Sequence, residues 1–304
     1  MGTPHIGEPS AETSVWSPPL PDAPGFTHTI IETPGLRTHV ATVGEGPPVV
    51  LLHGLPEHWW QWHDVAPAIA AHGYRVICPD LRGAGWTSAD DPRIGHETRM
   101  HDLLALLDVL GVERAHVMTH DLGALTGMHL AYSRPDRVRT LVQLAVPPGF
   151  MRFSPRMIPA FRHYPRLLWG GHRHSLRWVL APPYTVRPMS ADTIDAYLRV
   201  ETRPEVARAT RRVLLGMIAP ELPRLMGGYY KRMRLRPPTL VAYGARDWPL
   251  TEPVVRTMCR DHERRAERFA LAFVPDAAHF VTDDAPDAVV DLAVDWFRRE
   301  GGAD

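Results

Sequence analysis

The sequence predicts an α/β protein: a mostly parallel central sheet with helices on both faces, interrupted by an inserted helical module. Three observations predict it. Continuous apolar runs such as Pro48–Leu52 (PVVLL) are strands covered on both faces. Such runs alternate with helical periodicity through the first half of the chain. The alternation stops over residues 147–233, which show helical spacing and no buried strand, and Pro237–Tyr243 (PPTLVAY) restores it. The expected organisation is therefore an extended arm over 1–25, a core over 26–146 and 234–304, and a helical lid over 147–233.

The elements follow in order. The first 25 residues are rich in Pro, Ser and acidic side chains and read as a loosely ordered surface arm. Phe26–Glu32 and Leu36–Val43 alternate around Pro34-Gly35 and read as a strand pair with a tight turn. Pro48–Leu52 runs into His53-Gly54-Leu55-Pro56, with Trp59, Trp60 and Trp62 close behind, and Val65–Ala71 continues as a helix. Tyr74–Cys78 is a buried strand ending in Asp80-Leu81-Arg82-Gly83. Glu97–Leu110 is an amphipathic helix with Leu103, Leu104, Leu107 and Leu110 on one face and Gly111 as its stop. Val138–Val146 is a strand closed by Pro147-Pro148. Lid helices are expected at Asp192–Leu198, Glu205–Met217 and Leu222–Met233. Phe269–Val274 is the last strand, and Ala285–Arg299 closes the chain as a helix.

The stretch that carries chemistry is Ala115–Leu125 (AHVMTHDLGAL). A short buried strand leads into Thr119-His120-Asp121-Leu122-Gly123 and then into helical spacing. This is the strand–turn–helix setting of a nucleophile elbow, with Asp121 at the exposed tip. Gly123 suits the close crossing of strand and helix; Thr119 is larger than that position ordinarily carries. The helix N-terminus favours a carboxylate at Asp121. Taken alone, the segment equally permits Asp121 as a plain N-cap.

His53-Gly54-Leu55-Pro56, Asp80-Leu81-Arg82-Gly83, His120-Asp121-Leu122-Gly123, Gly244-Ala245-Arg246-Asp247 and His279-Phe280 occur in that order, each after an expected strand. On these residues the chain resembles the α/β-hydrolases, and within that superfamily the epoxide hydrolase and haloalkane dehalogenase branch. The resemblance runs from about Gly35 to the C-terminus and implies the α/β-hydrolase fold with a helical lid. It implies Asp121 as nucleophile, forming an ester with an alkyl carbon. His279 would activate the water that cleaves the ester, and Asp247 would orient and stabilise the imidazole. The backbone N–H groups of Leu55 and Leu122 would form the oxyanion hole. Trp59 and His120 are expected to line the substrate pocket.

Each residue also has a plainer role open to it. Asp247 could cap the helix beginning near Glu252. His279 is one of 17 histidines and could lie on the surface. His53 and Arg82 read as braces between loops. His172-Arg173-His174 is similar to a metal-binding tract but has no completing ligands in sequence, so a solvated loop is favoured.

Within the branch, dehalogenases place a Trp after the nucleophile and often an Asn in the loop before it, where this chain has Leu122 and Leu55; most epoxide hydrolases of this type also carry that Trp, so Leu122 departs from both. Epoxide hydrolases use one or two lid tyrosines to donate to the epoxide oxygen, because a phenol donates while uncharged. Tyr164 is the first candidate. A second tyrosine is expected near Val213–Met217, where there is none, so Tyr229 and Tyr230 are the substitutes. The resemblance thus implies hydrolysis of a hydrophobic epoxide to a vicinal diol. A haloalkane dehalogenase, or a non-hydrolytic ligand-binding or biosynthetic epoxide-opening protein, is the alternative.

Composition excludes other classes. The 34 basic and 34 acidic side chains leave no net charge to favour nucleic acid or an anionic membrane. No run is long and apolar enough to span a bilayer, and the first residues lack a signal-peptide pattern, so a cytoplasmic location is expected. Cys78 and Cys259 stand far apart, outside any metal-ligand spacing. No metal or cofactor is expected; the glycines of Arg82-Gly83-Ala84-Gly85 lack the rest of a dinucleotide fingerprint. The expected partners are a small hydrophobic epoxide and water. A homodimer is compatible with the sequence but not specified by it.

Overall fold

The structure, a computed structural model, describes residues 16–153, 155–162, 164–170 and 175–302. The 172–174 histidine tract, the first part of the arm and the side chain of Trp169 lie outside what is described.

The strands are β1 (Thr27–Thr33), β2 (Leu36–Val43), β3 (Pro48–Leu52), β4 (Arg75–Pro79), a short β5 (Ser88–Ala89), β6 (Ala115–His120), β7 (Val138–Leu144), β8 (Thr239–Gly244) and β9 (Phe269–Val274). They form one sheet in the order β1-β2-β4-β3-β6-β7-β8-β9, with β5 paired to β2. β1–β2 and β2–β4 are antiparallel. The pairs from β4 through β9 are parallel. After β3 the chain first adds β4 on one side, and β6 then pairs on the other. The strand order reverses between β3 and β6, where crevices open at the carboxyl ends of a parallel sheet.

Alternation along each strand sorts side chains between two layers. Val49, Leu51, Val76 and Met118 pack in the layer with α1 (Val65–Ala71) and α12 (Pro286–Glu300). Val50, Leu52, Ile77 and Val117 pack in the layer with α2 (Thr98–Val109) and α3 (Gly123–Ser133). β3 is therefore apolar on both faces, which is why it reads as an unbroken apolar run.

Between β7 and β8 the described residues form α4 (Tyr164–Gly170), α5 (Ala191–Leu198), α6 (Pro204–Ala207), α7 (Ala209–Val213) and α8 (Ala219–Met226), with short 3-10 turns. The helix expected over Glu205–Met217 is broken at Arg208 and widens into a π-helical turn at Leu214–Ile218. The helix expected over Leu222–Met233 stops at Gly227-Gly228, where Gly228 takes φ 69°. After β8 come α9 (Glu252–Cys259) and α10 (His262–Arg265), and after β9 comes α11 (Val281–Asp284).

Residues 16–25 are not loose, contrary to the sequence expectation. Trp86 donates its indole N–H to the Pro18 carbonyl at 2.6 Å, and Trp60 donates to Asp22 at 2.9 Å. Trp16 packs edge-on to His39 at 4.9 Å. Composition signals the arm's polarity but not the tryptophan donors that wait for it on the core.

Asp80 is the polar pin of this end of the sheet. Its buried carboxylate accepts from the backbone N–H of Trp59 at 2.7 Å and of Trp86 at 2.8 Å, and pairs with His39 Nδ1 at 2.7 Å. Burial opposes its charge, but His39 and the neighbouring histidines hold the carboxyl well below the usual range. Asp80→Ala would leave His39 Nδ1 and two N–H groups unpaired in the core. A loss of about 3–5 kcal/mol in denaturant unfolding is expected, and a loss under about 1 kcal/mol would contradict the pin.

Candidate active site

β6 ends in a bend at which Asp121 takes φ 42°, in the left-handed region that L-residues rarely occupy. The strain raises the carboxylate above the carboxyl ends of β3 and β6. No side-chain capping bond reaches α3, so Asp121 is not that helix's N-cap. Instead its Oδ2 accepts from Leu55 N at 3.1 Å, and the carboxylate also accepts from Leu122 N. The two backbone donors expected of an oxyanion hole thus converge on the carboxylate itself.

Missing side chains make this crossing fit. A Cβ on Gly123 would lie 2.3 Å from the Leu52 carbonyl, and one on Gly54 would lie 2.8 Å from Asp121 Cβ. Thr119 fits after all, because its methyl faces Gly127; a Cβ there would lie 2.5 Å from Thr119 Cγ2. The bulk that looked wrong at Thr119 is absorbed one helical turn into α3.

Asp247 and His279 arrive from the loops after β8 and β9. His279 Nδ1 lies 3.3 Å from Asp247 Oδ2, and Nε2 lies 3.5 Å from Asp121 Oδ1. Asp247 is 2% exposed, and the N-cap position of α9 is Thr251, so Asp247 is not the helix cap the sequence left open. Burial opposes a charge on His279, but Asp247 and Asp121 together raise its pKa well above the ordinary value. The Asp121 carboxyl is lowered: burial works against its charge, and the His279 bond, the His279 and His120 charges and the Leu122 N–H overcome it.

His120 does not line the cavity, which corrects the sequence expectation. It is fully buried, with Nδ1 2.8 Å from Glu57 Oε2 and Nε2 2.9 Å from the His279 carbonyl. Burial opposes a charge on the ring, but Glu57 raises its pKa, and with both nitrogens facing acceptors it can donate twice. The ring thereby ties the nucleophile's strand to the histidine loop. Glu57 was missed in sequence; its one signal is its place two residues after Leu55. Trp59 is likewise not a pocket residue: it is buried against Phe26 at 5.3 Å and His28 at 4.6 Å. His53 accepts from Leu81 N at 3.0 Å, its Nδ1 lies 2.8 Å from the Gly54 carbonyl, and burial lowers its pKa to about 4. Arg82 grips Asp102 with two bonds of 2.7 Å. Both act as braces between loops.

A cavity of about 250 Å³ lies between the lid and this crossing. Leu55, Asp121, Leu122, Asp247 and His279 line it together with Tyr164, Tyr184, Trp178, Glu221 and apolar lid side chains. Tyr164 reaches it, and burial and the nearby Asp121 carboxylate raise its phenol pKa. Tyr229 and Tyr230 do not line it. Tyr229 is 43% exposed, while buried Tyr230 turns to Glu221. Tyr184 and Trp178 are marked in sequence only as two of several lid aromatics, and Glu221 carries no sequence signal, because lid helices lack the spacing that marks the core motifs.

Comparison with known proteins bears on the fold that carries this site. A family model described as the alpha/beta hydrolase fold matches residues 47–165. The chain has the α/β-hydrolase fold. Among curated relatives of this hydrolase-fold chain, epoxide hydrolase 2 of Siraitia grosvenorii is 42% identical over 140 residues, covering 44% of the chain and 43% of the relative. Matches to the first such relatives therefore span less than half of their length. The soluble epoxide hydrolase of Corynebacterium sp. (strain C12) is 27% identical over 291 residues, covering 90% of the chain and 97% of the relative. The solved structure of epoxide hydrolase CorEH without ligand superposes with a TM-score of 0.75 at 26% identity, covering 90% of this chain and 99% of that one.

Replacing Glu57 with Gln removes the anion that His120 faces inside the core. An unfolding free energy lower by about 3–5 kcal/mol is expected. A change under about 1 kcal/mol would show that a neutral acceptor holds His120 as well as the carboxylate does.

Proposed function

We propose that this chain is an epoxide hydrolase that opens a hydrophobic epoxide to a vicinal diol through an ester on Asp121. The observation that carries the reading is the carboxylate at an elbow with one oxygen on the Leu55 N–H and the other toward His279. The relatives named epoxide hydrolases, one of them matching over nearly its whole length, support the same class.

The chemistry then runs in two steps. Asp121 Oδ1 attacks an epoxide carbon and the C–O bond breaks, forming the ester. Tyr164 gives its phenolic proton to the alkoxide oxygen and later regains one from solvent. In the second step His279 Nε2 takes a proton from water, and the hydroxide adds to the Asp121 carbonyl carbon. The N–H groups of Leu55 and Leu122 hold the resulting oxyanion, a type of contact whose loss costs about 3–4 kcal/mol of barrier. Collapse expels the diol oxygen, which takes the proton from His279, and the Asp121 carboxylic acid left behind releases its proton to solvent, balancing the one Tyr164 regains and restoring the carboxylate. The net change is epoxide plus water to diol. The apolar lining suits a hydrophobic epoxide. Leu55 and Leu122 offer no side-chain donor to a departing halide, which disfavours the dehalogenase alternative.

A single turnover in isotopically labelled water tests the ester. One labelled oxygen should enter Asp121, and Asp121→Ala should lose turnover; label found only in the diol, with an active Asp121→Ala, would overturn the reading.

The two steps also differ in pH dependence. Once Asp121 is esterified it no longer carries one of the two anions that raise His279. The base must be neutral, so ester hydrolysis should rise with pH through the lowered His279 pKa and then level off. Its acid limb is expected below the pH at which His279 titrates in the free protein by NMR. A limb at the same or a higher pH would contradict this role.

A further inference from the structure

The ester chemistry uses two of the three carboxylates that line the cavity. The third, Glu221, lies on α8 in the lid and is 1% exposed. His96, from the loop before α2, and His129, on α3, both direct Nε2 at Glu221 Oε2, the second at 3.0 Å. The Tyr230 hydroxyl is directed at the same carboxylate. Its Oε1 is buried and has no hydrogen-bond partner among the described residues. Burial opposes the charge, but the His129, Tyr230 and His96 contacts hold this carboxyl below its ordinary range.

Two further features fix the carboxylate in place. Immediately before α8 the helix widens into the π-helical turn Leu214–Ile218, a local register change often found at functional sites. Within it, a Cβ on Gly216 would lie 1.6 Å from the Ile94 carbonyl, so the turn rests directly on the loop that carries His96. The lid helix and the His96 loop are thus held in one register by backbone contact.

Two imidazoles and a carboxylate could also ligate a metal. The tautomers argue otherwise. Arg224 Nη1 lies 3.1 Å from His96 Nδ1, and a guanidinium only donates. Nδ1 therefore holds the lone pair and Nε2 holds the proton, aimed at Glu221. With its Nε2 proton in place, His96 has no lone pair for a metal at that nitrogen. Glu221 lines the apolar cavity, and its Oε1, buried just behind that wall, is an acceptor that the described residues leave unfilled; a ligand donor meets it by a small shift of the wall.

We propose that Glu221 is a recognition group for a hydrogen-bond donor, an alcohol O–H or a protonated amine N–H, on the part of the ligand that does not react. The substrate would then be an epoxide with an apolar body and a donor group. As a statement about substrate this rests on the epoxide reading above; as a statement about binding it rests on the cluster alone. A buried acceptor discriminates because an analogue lacking the donor leaves it unpaired.

The test is equilibrium binding of n-decanol, n-decylamine and decyl methyl ether, with their octyl and dodecyl homologues, to the full chain by calorimetry. At one chain length or more, the wild type should bind the alcohol or amine at least about tenfold more tightly than the ether. Glu221→Leu should lose that preference, and Glu221→Gln should lose the amine's part of it. Equal binding of all three by the wild type at every length would overturn the proposal, whether or not the variants fold. So would a preference that survives in folded Glu221→Leu, or tight zinc uptake by the wild type that disappears in His96→Ala. Preferential binding without turnover of any epoxide would overturn the proposed function and leave this inference standing.

Discussion

Two loops cross at the carboxyl ends of β3 and β6 with almost nothing between them. The Leu55 N–H meets Asp121 Oδ2 at 3.1 Å because Gly54 and Gly123 contribute no side chain to the crossing. Everything at the site is measured from that contact. It holds Asp121 at φ 42° and aims the other carboxylate oxygen at His279. The strain of that backbone is sustained by parallel pairing on both sides of β6.

Behind the crossing lies a second polar layer that never touches the cavity. Glu57 faces His120, and His120 reaches the His279 carbonyl. Asp80, His53 and Arg82 do the same for the neighbouring loops. Buried groups of this kind are costly unless each has its partner, so they fix loop positions more sharply than apolar packing does. The arrangement also sets charge. Asp121 stays ionised because two imidazoles and two backbone donors surround it, and His279 is raised by the two carboxylates on either side of it.

The lid contributes by a different logic. Its helices are short, broken by proline and glycine, and meet the core through a few specific polar contacts. Glu221 with His96 and His129 is one, and the Val186 N–H on Asp284 at 3.1 Å is another. The cavity wall therefore combines lid side chains with the ends of core strands. Its chemistry belongs to the pairing of the two segments and to neither alone.

The division between sequence and tertiary structure follows from how each signal is encoded. Alternation and apolar runs reveal β2, β3 and β9 with their bounds intact, because burial on both faces dictates residue type along the chain itself. Asp121, Asp247 and His279 are legible because each follows a strand, and strand order brings strand ends together. The lid was not legible in that way. Tyr164 was found by resemblance, while Tyr229 and Tyr230 have the expected residue type but face elsewhere. Trp59 and His120 sit in the right motifs yet point into the core, since a motif specifies backbone position and not which way a side chain turns. Glu57 and Glu221 acquire meaning only when residues 63 and 92 positions away arrive beside them. Local order came from the sequence because it is a matter of periodic burial; the partners of each polar group came from the fold because only three-dimensional closure chooses them.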